Sequence, residues 1–505
     1  MSVPINSPIK DKIINVLGNS RLVVDDELSI LSYAYSASGK IIKPLMIVLP
    51  ESDEQIKSLI ALANQEKVYL YPLSTGKNWG YGTKLGTDKD QIIVDLAKMN
   101  KIIEVNTDLH YIKLQPGVTQ GQLYDYIQNK AKYHDIQLDV TGAGSEAGIV
   151  GNILERGFGH TDYGNRYENI LGLKVILADG SIIRTGFHQF YDKAKAGDVY
   201  PQGIGPSTIG LFSQSNFGIV TEMTLKLMPK PKKFSVMVGS IAKKNQIGEL
   251  VEVIKKLKLT GILNSTVHIG NKSRVVGNMK TNRVGEWVFS ASLSSYHEIV
   301  KAKKSIVKKE FKKSNLEYKL KNINDKTLTL LTWFHSKIKP IGLLPVWQYI
   351  VDLQKGKPTN DPLSVLVDDN TIDFKNIRTE NFKLHFKWIS AVSSAEKDNV
   401  ALLLESIESV FNKYEYEFRV TLTFINPRAI IAIANITYPK DEKSNEKATA
   451  FYKECTASLK EKGFPPYRGG SGLYDDLLQK ESYLQNIKKA IDPNGIIAPK
   501  KYGLG

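Results

Sequence analysis

Short apolar segments alternate with amphipathic ones through the first 230 residues of the chain. Ser52–Asn64 carries apolar residues at helical spacing behind a capping serine and therefore predicts a helix. Asp179-Gly180 predicts a tight turn that joins two of the strands into a hairpin. The predicted strands are Pro44–Leu49, Val68–Leu73, Ile92–Leu96, Tyr111–Leu114, Leu173–Leu177 and Ser181–Thr185.

The pattern changes at Met228–Pro231. Pro229 and Pro231 each restrict the backbone and disfavour a preceding helix, so the segment predicts a stiff linker. Beyond it glycines are few and strand patterns alternate with helical ones, which is typical of an antiparallel sheet with helices on one face. The predicted strands are Phe234–Val238, Trp287–Leu293, Phe382–Val392, Phe418–Phe424 and Ala429–Ile436, and the predicted helices are Ile247–Leu257, Val400–Phe411 and Lys447–Lys460. From Pro465 onward the chain is again rich in turn residues.

Length and composition indicate a globular protein of at least two domains. The chain has 505 residues, and a single core rarely grows beyond about 250–300 residues. No apolar run approaches the ~20 residues of a membrane helix, and Met1–Asn6 lacks the features of a secretory signal. Cys455 is the single cysteine, which excludes intramolecular disulfides and cysteine-rich metal sites. We therefore expect a cytoplasmic protein without a membrane anchor or a metal.

The formal net charge is +16, and its densest run of lysines lies between Lys301 and Lys313. This run reads as the solvated face of a helix whose Ile306, Val307 and Phe311 turn inward. An anionic protein or nucleic acid is the alternative partner of such a face. The chain has no RNA-binding aromatic motif and no zinc-finger spacing, so we expect no nucleic acid.

Three glycine-rich stretches in the first domain carry the strongest chemical signal. They lie at Ser74–Gly82, at Gly142–Asn152 and at Ser213–Thr221. Glycines let backbone N–H groups converge on an anion, and three such stretches together favour a bound dinucleotide. No G-x-G-x-x-G opens a helix after the first strand, and Walker, G-x-S-x-G and H-E-x-x-H motifs do not occur.

The segment Pro72–Gly82 resembles the pyrophosphate-binding loop of the vanillyl-alcohol oxidase / para-cresol methylhydroxylase flavoproteins. Further blocks match that family in the same order, and together they span almost the whole chain. These blocks are Val150–Gly157, Leu211–Thr221, Tyr467-Arg468 and Asp492–Pro499. The second and third blocks, Val150–Gly157 and Leu211–Thr221, are long enough to indicate the aryl-oxidising branch.

The resemblance implies an α+β fold with two domains: an FAD-binding domain and an antiparallel-sheet cap domain that covers the substrate. The FAD-binding domain would take residues 1–230, the cap 231–464, and residues 465–505 would return to the FAD-binding domain. The implied FAD-binding residues are Ser74, Thr75, Gly76, Lys77, Asn78, Gly80, Tyr81, Gly144, Ser145, Gly148, Gly151, Asn152, Gly218, Ile219, Val220 and Lys501.

The same resemblance implies a phenolate site made of Tyr81, Tyr467 and Arg468. Members of this branch bind para-substituted phenols with two tyrosines and an arginine. Two hydroxyl groups and a guanidinium offer several donors to one oxyanion, which lowers the pKa of a phenol in a dry pocket. A phenolate pushes electrons toward its para carbon and so stabilises the cation that is left when hydride departs.

The chain departs from the family pattern where some relatives attach the flavin covalently. That position aligns with Lys383, so we expect a dissociable FAD. If the FAD is covalent, His385, two residues further along, is the candidate attachment residue. No histidine precedes His110, so the helper histidine of some relatives has no counterpart in the N-terminal segment.

A second departure concerns proton transfer. Where relatives carry an aspartate near the reacting carbon, this chain reads Thr141–Gly144. Glu146 is the nearest acid, and His160 replaces a family tyrosine. We expect His160 to be the catalytic base or acid and to titrate near its ordinary pKa of ~6.5, with Glu146 or a purely structural His160 as alternatives.

The sequence therefore predicts an FAD-dependent oxidase or dehydrogenase that takes hydride from the benzylic carbon of a para-substituted phenol or phenol-bearing metabolite. The electron acceptor would be molecular oxygen or a redox protein, and the chain could form a homodimer. Oxidation of a hydroxy acid or carbohydrate alcohol is the alternative activity. A flavin-binding protein without turnover is the alternative from another class.

Overall fold

The computed structural model of the protein describes residues 8–276, 284–337, 344–364, 378–469 and 483–505. The segment Met1–Asn6, in which no secretory signal is expected, lies outside the described residues. The helices are α1 (Pro8–Leu17), α2 (Glu27–Ala34), α3 (Asp53–Glu66), α4 (Gln120–Gln128), α5 (Ile149–Leu154), α6 (Ile247–Leu259), α7 (Lys272–Val276), α8 (His297–Lys313), α9 (Asp325–Lys337), α10 (Leu344–Gln354), α11 (Asp361–Ser364), α12 (Lys397–Lys413), α13 (Glu442–Glu461) and α14 (Tyr483–Ile491).

The strands alternate with these helices along the chain and form separate sheets. They are β1 (Val23–Val24), β2 (Met46–Val48), β3 (Tyr69–Leu73), β4 (Gln91–Asp95), β5 (Ile102–Asn106), β6 (Tyr111–Leu114), β7 (Ile136–Gln137), β8 (Ile170–Ile176), β9 (Ile182–Arg184), β10 (Ile219–Lys226), β11 (Met228–Pro229), β12 (Lys233–Ile241), β13 (Val267–Asn271), β14 (Trp287–Ser295), β15 (Tyr318–Ile323), β16 (His385–Ser394), β17 (Val420–Phe424) and β18 (Ala429–Tyr438).

The first sheet has the order β1-β2-β4-β3, and its last three strands are parallel. Strand β4 is buried along its whole length, as expected for an apolar strand covered on both faces. Helix α3 begins where the sequence predicts, because the Ser52 hydroxyl accepts a hydrogen bond of 3.3 Å from the backbone N–H of Gln55. The loop that leaves β3 is the first glycine-rich stretch.

The second sheet has the order β5-β6-β10-β8-β9 and is antiparallel throughout. Strands β8 and β9 form the predicted hairpin, and Gly180 in its turn has a φ of +82°. Strand β10 follows directly from the third glycine-rich stretch. The parallel and the antiparallel sheet therefore each deliver a glycine-rich loop to the same region of the domain.

The third sheet is antiparallel, with the order β15-β12-β14-β13-β17-β18-β16. Helices α6, α8, α12 and α13 pack on one face of it and bury a single large core that includes the free Cys455. On the lysine-rich helix α8, Val307 and Phe311 are buried as predicted, but Ile306 is exposed because it lies on the lysine face of the helix.

Several predicted boundaries differ from the structure by a few residues, and two of them matter for the description of the domains and the site. The predicted linker contains a short strand, β11, which pairs with β7 before β12 begins. Strand β16 begins at His385 rather than at Phe382, because Thr379–Asn381 forms a 3₁₀ turn and Phe382 packs beneath it. Among the helices of the described ranges, none is long and apolar enough to cross a membrane.

The C-terminal segment returns to the first sheet. The backbone of Leu70 exchanges hydrogen bonds with Ile496 and Ala498, at 2.8 and 2.7 Å. Behind this contact the buried Lys488 forms an ion pair with Asp492 at 2.6 Å and donates to two backbone carbonyls. A buried cation with several partners holds a segment firmly, because removal of any partner leaves its charge unpaired.

Candidate active site

One long cleft gathers the three glycine-rich stretches and the C-terminal segment. Its walls include most of the residues that were expected to bind FAD: Ser74, Thr75, Gly76, Lys77, Asn78, Gly148, Gly151, Asn152, Gly218, Ile219, Val220 and Lys501. Helix α5 and strand β10 place the second and third groups of these residues, and β3 leads into the first. The cleft continues as far as Arg468.

The floor of the cleft requires glycine at two positions. A Cβ atom at Gly148 would lie 2.2 Å from the hydroxyl oxygen of Ser74, and one at Gly151 would lie 2.7 Å from the Cβ of Ser74. The Thr75 hydroxyl accepts a hydrogen bond of 2.9 Å from the backbone N–H of Gly148 and donates to the carbonyl of Glu146 at 3.1 Å. The side chains of Ser74 and Thr75 therefore pack directly against the backbone of the second stretch, and Gly148 and Gly151 add no side chain to the cleft.

Two lysines give the cleft its charge. Burial, together with the neighbouring Lys84, lowers the pKa of Lys77 to about 8. Lys501 forms an ion pair of 3.0 Å with Glu155. Burial opposes the charge of Glu155, but Lys501 and Arg468 hold its pKa below the ordinary value. An anionic group beside Lys77 would restore its full positive charge, so the cleft suits a pyrophosphate.

At the far end of the cleft, Arg468 joins the C-terminal return to the first glycine-rich loop. Its Nη2 donates a hydrogen bond of 2.6 Å to the Oδ1 of Asn78, and its Nη1 donates one of 3.4 Å to the hydroxyl of Tyr467. The guanidinium carbon lies 4.4 Å from the ring centre of Tyr81. The structure thus brings Tyr81, Tyr467 and Arg468 together, as the sequence predicts.

This cluster leaves donors unused among the described residues. The Tyr81 hydroxyl is buried and makes no hydrogen bond of normal geometry there, although Ser390 lies close, and the Arg468 Nε is likewise buried without an acceptor. Burial and the nearby Tyr467 raise the pKa of Tyr81, so its hydroxyl keeps its proton. Burial opposes the charge of Arg468, but Tyr467 and Glu155 raise its pKa above the ordinary value. A cation and a neutral hydroxyl with free donor capacity suit an oxyanion.

Comparison with known proteins agrees with this geometry. An FAD binding domain family matches residues 44–186. The flavoprotein subunit of 4-cresol dehydrogenase (hydroxylating) from Pseudomonas putida is 26% identical over 490 residues, which is 91% of this chain and 88% of the relative.

Two solved structures share the fold. They are p-cresol methylhydroxylase with substrate bound (TM-score 0.85, 24% identity, 98% of this chain and 96% of the other) and 4-ethylphenol oxidase from Gulosibacter chungangensis in complex with isoeugenol (TM-score 0.87, 21% identity, 100% and 99%). The chain thus contains an FAD binding domain and is similar over nearly its whole length to proteins of the cresol dehydrogenase type, in agreement with the resemblance to the vanillyl-alcohol oxidase / para-cresol methylhydroxylase flavoproteins.

The FAD binding domain and these similar proteins confirm the predicted fold class, FAD as the cofactor, and an FAD-dependent oxidoreductase. The residues of the cleft fit that cofactor, because the glycines add no side chains to the cleft and Lys77 and Lys501 place positive charge in its walls. Bound FAD supplies a hydride acceptor, and every other function of the site falls to the side chains.

His160 has an unpredicted partner. Its ring centre lies 4.4 Å from that of His268 on β13, and Phe158 connects this pair to Tyr467 through ring distances of 6.0 and 5.9 Å. Burial, and then the neighbouring His268, hold the pKa of His160 well below its ordinary value. Burial likewise lowers the pKa of His268 to about 4. The expected titration of His160 near ~6.5 is therefore wrong, since the site does not solvate an imidazolium.

Other expected residues lie beside the cleft rather than in its walls. Gly80 contacts the cap, because a Cβ there would lie 2.2 Å from the Cδ1 of Trp388. Ser145 hydrogen-bonds Asn360 through its backbone and its hydroxyl at 2.9 and 3.2 Å, and Gly144 abuts the same asparagine. The first two glycine-rich stretches therefore contact the cap domain through these residues.

His385 lies away from the cleft. It contacts Tyr438 and lines a separate surface pocket with Tyr35, Gly39 and Asn445. Side chains alternate along a strand, and on β16 it is Phe386, Trp388 and Ser390 that face the loop and Arg468. His385 and its odd-numbered neighbours face the helices instead, and Lys383 precedes the strand.

Asp139 has a structural role that the sequence did not reveal. Its carboxylate accepts hydrogen bonds from the backbone N–H groups of His160 and Thr161 and forms a buried ion pair of 3.3 Å with Arg166. Arg166 in turn donates to the Oδ1 of Asn152 at 2.6 Å. Asp139 therefore fixes the backbone that presents His160 and, through Arg166, the cleft residue Asn152.

Proposed function

We propose that this oxidoreductase takes hydride from the benzylic carbon of a para-substituted phenol or phenol-bearing metabolite. The observation that carries the proposal is the buried cluster of Tyr81, Tyr467 and Arg468 at the end of the FAD cleft. The names of the relatives support it, since they act on or hold 4-cresol and 4-ethylphenol. The cluster provides the cation and the hydroxyl donors that a bound phenolate requires.

The three side chains would bind the phenol as its anion. Arg468 supplies a permanent charge, because its pKa is raised despite burial. The Tyr81 hydroxyl donates a hydrogen bond, because its own pKa is raised and it keeps its proton. Desolvation strengthens both contacts, and the resulting phenolate directs electron density toward the carbon that loses hydride.

Proton transfer would fall to His160. Hydride loss from a phenolate leaves a neutral quinone methide, whose hydration or rearrangement still moves a proton. His160 is neutral at physiological pH because burial lowers its pKa, so its ring offers one accepting nitrogen. Glu146 is the alternative, and its backbone carbonyl holds Thr75 at the mouth of the cleft.

The electron acceptor that reoxidises the cofactor, molecular oxygen or a redox protein, and a homodimeric assembly remain part of this proposal. The function is tested by mixing the purified holoenzyme, without oxygen, with 4-methylphenol, 4-hydroxybenzyl alcohol, lactate and glucose. We expect loss of the visible flavin absorbance with the phenols alone. Bleaching by lactate or glucose alone would favour hydroxy acid or carbohydrate oxidation, and a flavin that no compound bleaches would indicate a protein without turnover.

A further inference from the structure

The imidazoles of His160 and His268 come from distant parts of the chain. His160 follows helix α5 in the FAD-binding half, whereas His268 lies on strand β13 of the cap sheet. Their ring centres are 4.4 Å apart, with 37° between the ring planes. The pair therefore lies where the two domains meet.

One ring nitrogen of this pair keeps unused hydrogen-bonding capacity among the described residues. The Nδ1 of His268 lies 3.2 Å from the hydroxyl of Thr423, its cross-strand neighbour on β17. Its Nε2 is buried and makes no hydrogen bond of normal geometry in the described part of the chain, although the backbone of Gly159 lies close to the ring. A buried polar atom without a partner destabilises the fold, so such an atom at a ligand site indicates that a ligand or water completes it.

The position of the histidine pair relative to the phenolate cluster indicates which part of a bound substrate the pair would contact. Phe158 contacts a member of each group, because its ring centre lies 5.9 Å from that of Tyr467 and 6.0 Å from that of His268. A phenol whose oxygen contacts Tyr467 and Arg468 would extend its opposite end past Phe158 toward the histidines. That opposite end is the para substituent.

We propose that His160 and His268 form a second recognition point, which binds a neutral hydrogen-bonding group on the para substituent of the substrate. The inference rests on the proposed function, because the phenolate cluster sets the direction of the ligand. Two neutral imidazoles present both a donor and an accepting nitrogen. A hydroxyl, carbonyl or amide can pair with them, whereas a plain alkyl or halogen substituent leaves the Nε2 of His268 unsatisfied.

Lys258 is the nearest cation, and it does not make the pair a carboxylate site. Its Nζ is engaged by the backbone carbonyls of Ser265 and Asn264, at 2.6 and 3.4 Å. Asp162, the acid on the same side, accepts a hydrogen bond of 2.6 Å from the Ser294 hydroxyl. The substrate class is therefore a para-substituted phenol with an uncharged polar side chain.

The test uses two phenols that lack a benzylic C–H bond and so bind without turnover. Calorimetry of the holoenzyme gives dissociation constants for 4-hydroxybenzamide, with a polar substituent, and 4-chlorophenol, with an apolar one. We expect His268→Phe to weaken binding of 4-hydroxybenzamide about three- to tenfold, the worth of one neutral hydrogen bond, and to leave 4-chlorophenol unchanged. His268→Gln, which restores a polar group, should recover part of the loss, and His385→Phe serves as the matched control.

The outcomes separate this inference from the proposed function. Equal weakening of both phenols by His268→Phe, or no weakening of either, overturns the second recognition point and leaves the phenolate site standing. Failure of the unmodified holoenzyme to bind 4-chlorophenol overturns the proposed function itself. If His268→Phe does not fold, the same pair of ligands is measured with His160→Phe, for which the same selective loss is expected.

Discussion

The Nη2 of Arg468 donates a hydrogen bond of 2.6 Å to the Oδ1 of Asn78, a residue 390 positions earlier in the chain. Asn78 lines the cleft that would hold FAD, and Arg468 borders both that cleft and the tyrosine cluster. One hydrogen bond therefore links the loop that would hold the cofactor to the cation that would hold the substrate.

Replacement of Arg468 by Met should weaken binding of phenols by about 2–5 kcal/mol, because an anion in a buried site loses its charged partner. Dissociation constants from calorimetry with 4-chlorophenol measure this loss. Arg21→Met, on the exposed surface, is the matched control and should bind as the unmodified protein does. An affinity of Arg468→Met within twofold of the control would show that the cluster is structural.

Replacement of Gly151 by Ala should lower the affinity for FAD. The new Cβ would lie 2.7 Å from the Cβ of Ser74, and relief of such overpacking costs about 1–3 kcal/mol. The FAD content of purified protein, measured by its visible absorbance per chain, reports the change. In the control Gly210→Ala the nearest atom is the Tyr167 hydroxyl oxygen at 3.5 Å, so full FAD content is expected there. Equal FAD content in both variants would contradict the role of this contact.

The sequence could predict the helix cap, the hairpin and the glycine-rich stretches of the cleft because their signals are local. Ser52 caps α3, Gly180 turns a hairpin, and glycines mark the cleft wherever a side chain would collide. His268 escaped prediction because nothing near it in sequence distinguishes it. Its position beside His160 depends on the folded chain. Sheet pairing places β13 beside β17 and brings His268 next to the loop of His160, more than a hundred residues earlier.

The face of β16 that points to the site could not be read from the sequence either. A shift of one residue in a strand exchanges its two faces, and the predicted strand began at Phe382 instead of His385. The family resemblance pointed to Lys383, with His385 on the same face as the alternative, whereas Trp388 and Ser390 on the other face approach the loop and Arg468.

FAD should be released when the purified protein is precipitated with acid, because His385 lies outside the cleft. The absorbance of the supernatant and of the redissolved pellet measures the partition. His385→Ala and Lys383→Ala should both leave the released fraction unchanged. Flavin that stays in the pellet of the unmodified protein would contradict a dissociable cofactor, and release in one variant alone would identify the attachment residue.

The histidine pair should make the protein less stable as the pH falls. In the unfolded chain these residues take up protons near pH ~6.5, whereas burial holds the pKa of His268 at about 4 and also lowers that of His160. The unfolded state therefore binds more protons below pH ~6.5, and the stability present above that pH is lost toward pH ~4. His268→Phe should reduce the fall in Tm between these values.

His297→Phe, at the exposed start of α8, is the control for this measurement and should keep the pH dependence of the unmodified protein. The same depressed pKa values predict that the affinity for 4-hydroxybenzamide shows no step near pH ~6.5. A clear step at that pH, abolished by His160→Phe, would show that His160 gains a proton there.

The two faces of β16 carry side chains with different roles. Ile389 and Ala391 pack into the core beneath α12 and α13, so substitutions at these positions would reduce the stability of the domain. Phe386, Trp388 and Ser390 meet the loop and Arg468, so changes there would reach the proposed substrate site. The two faces of a single strand thus separate positions that would shape the proposed site from positions that the core of the cap domain requires.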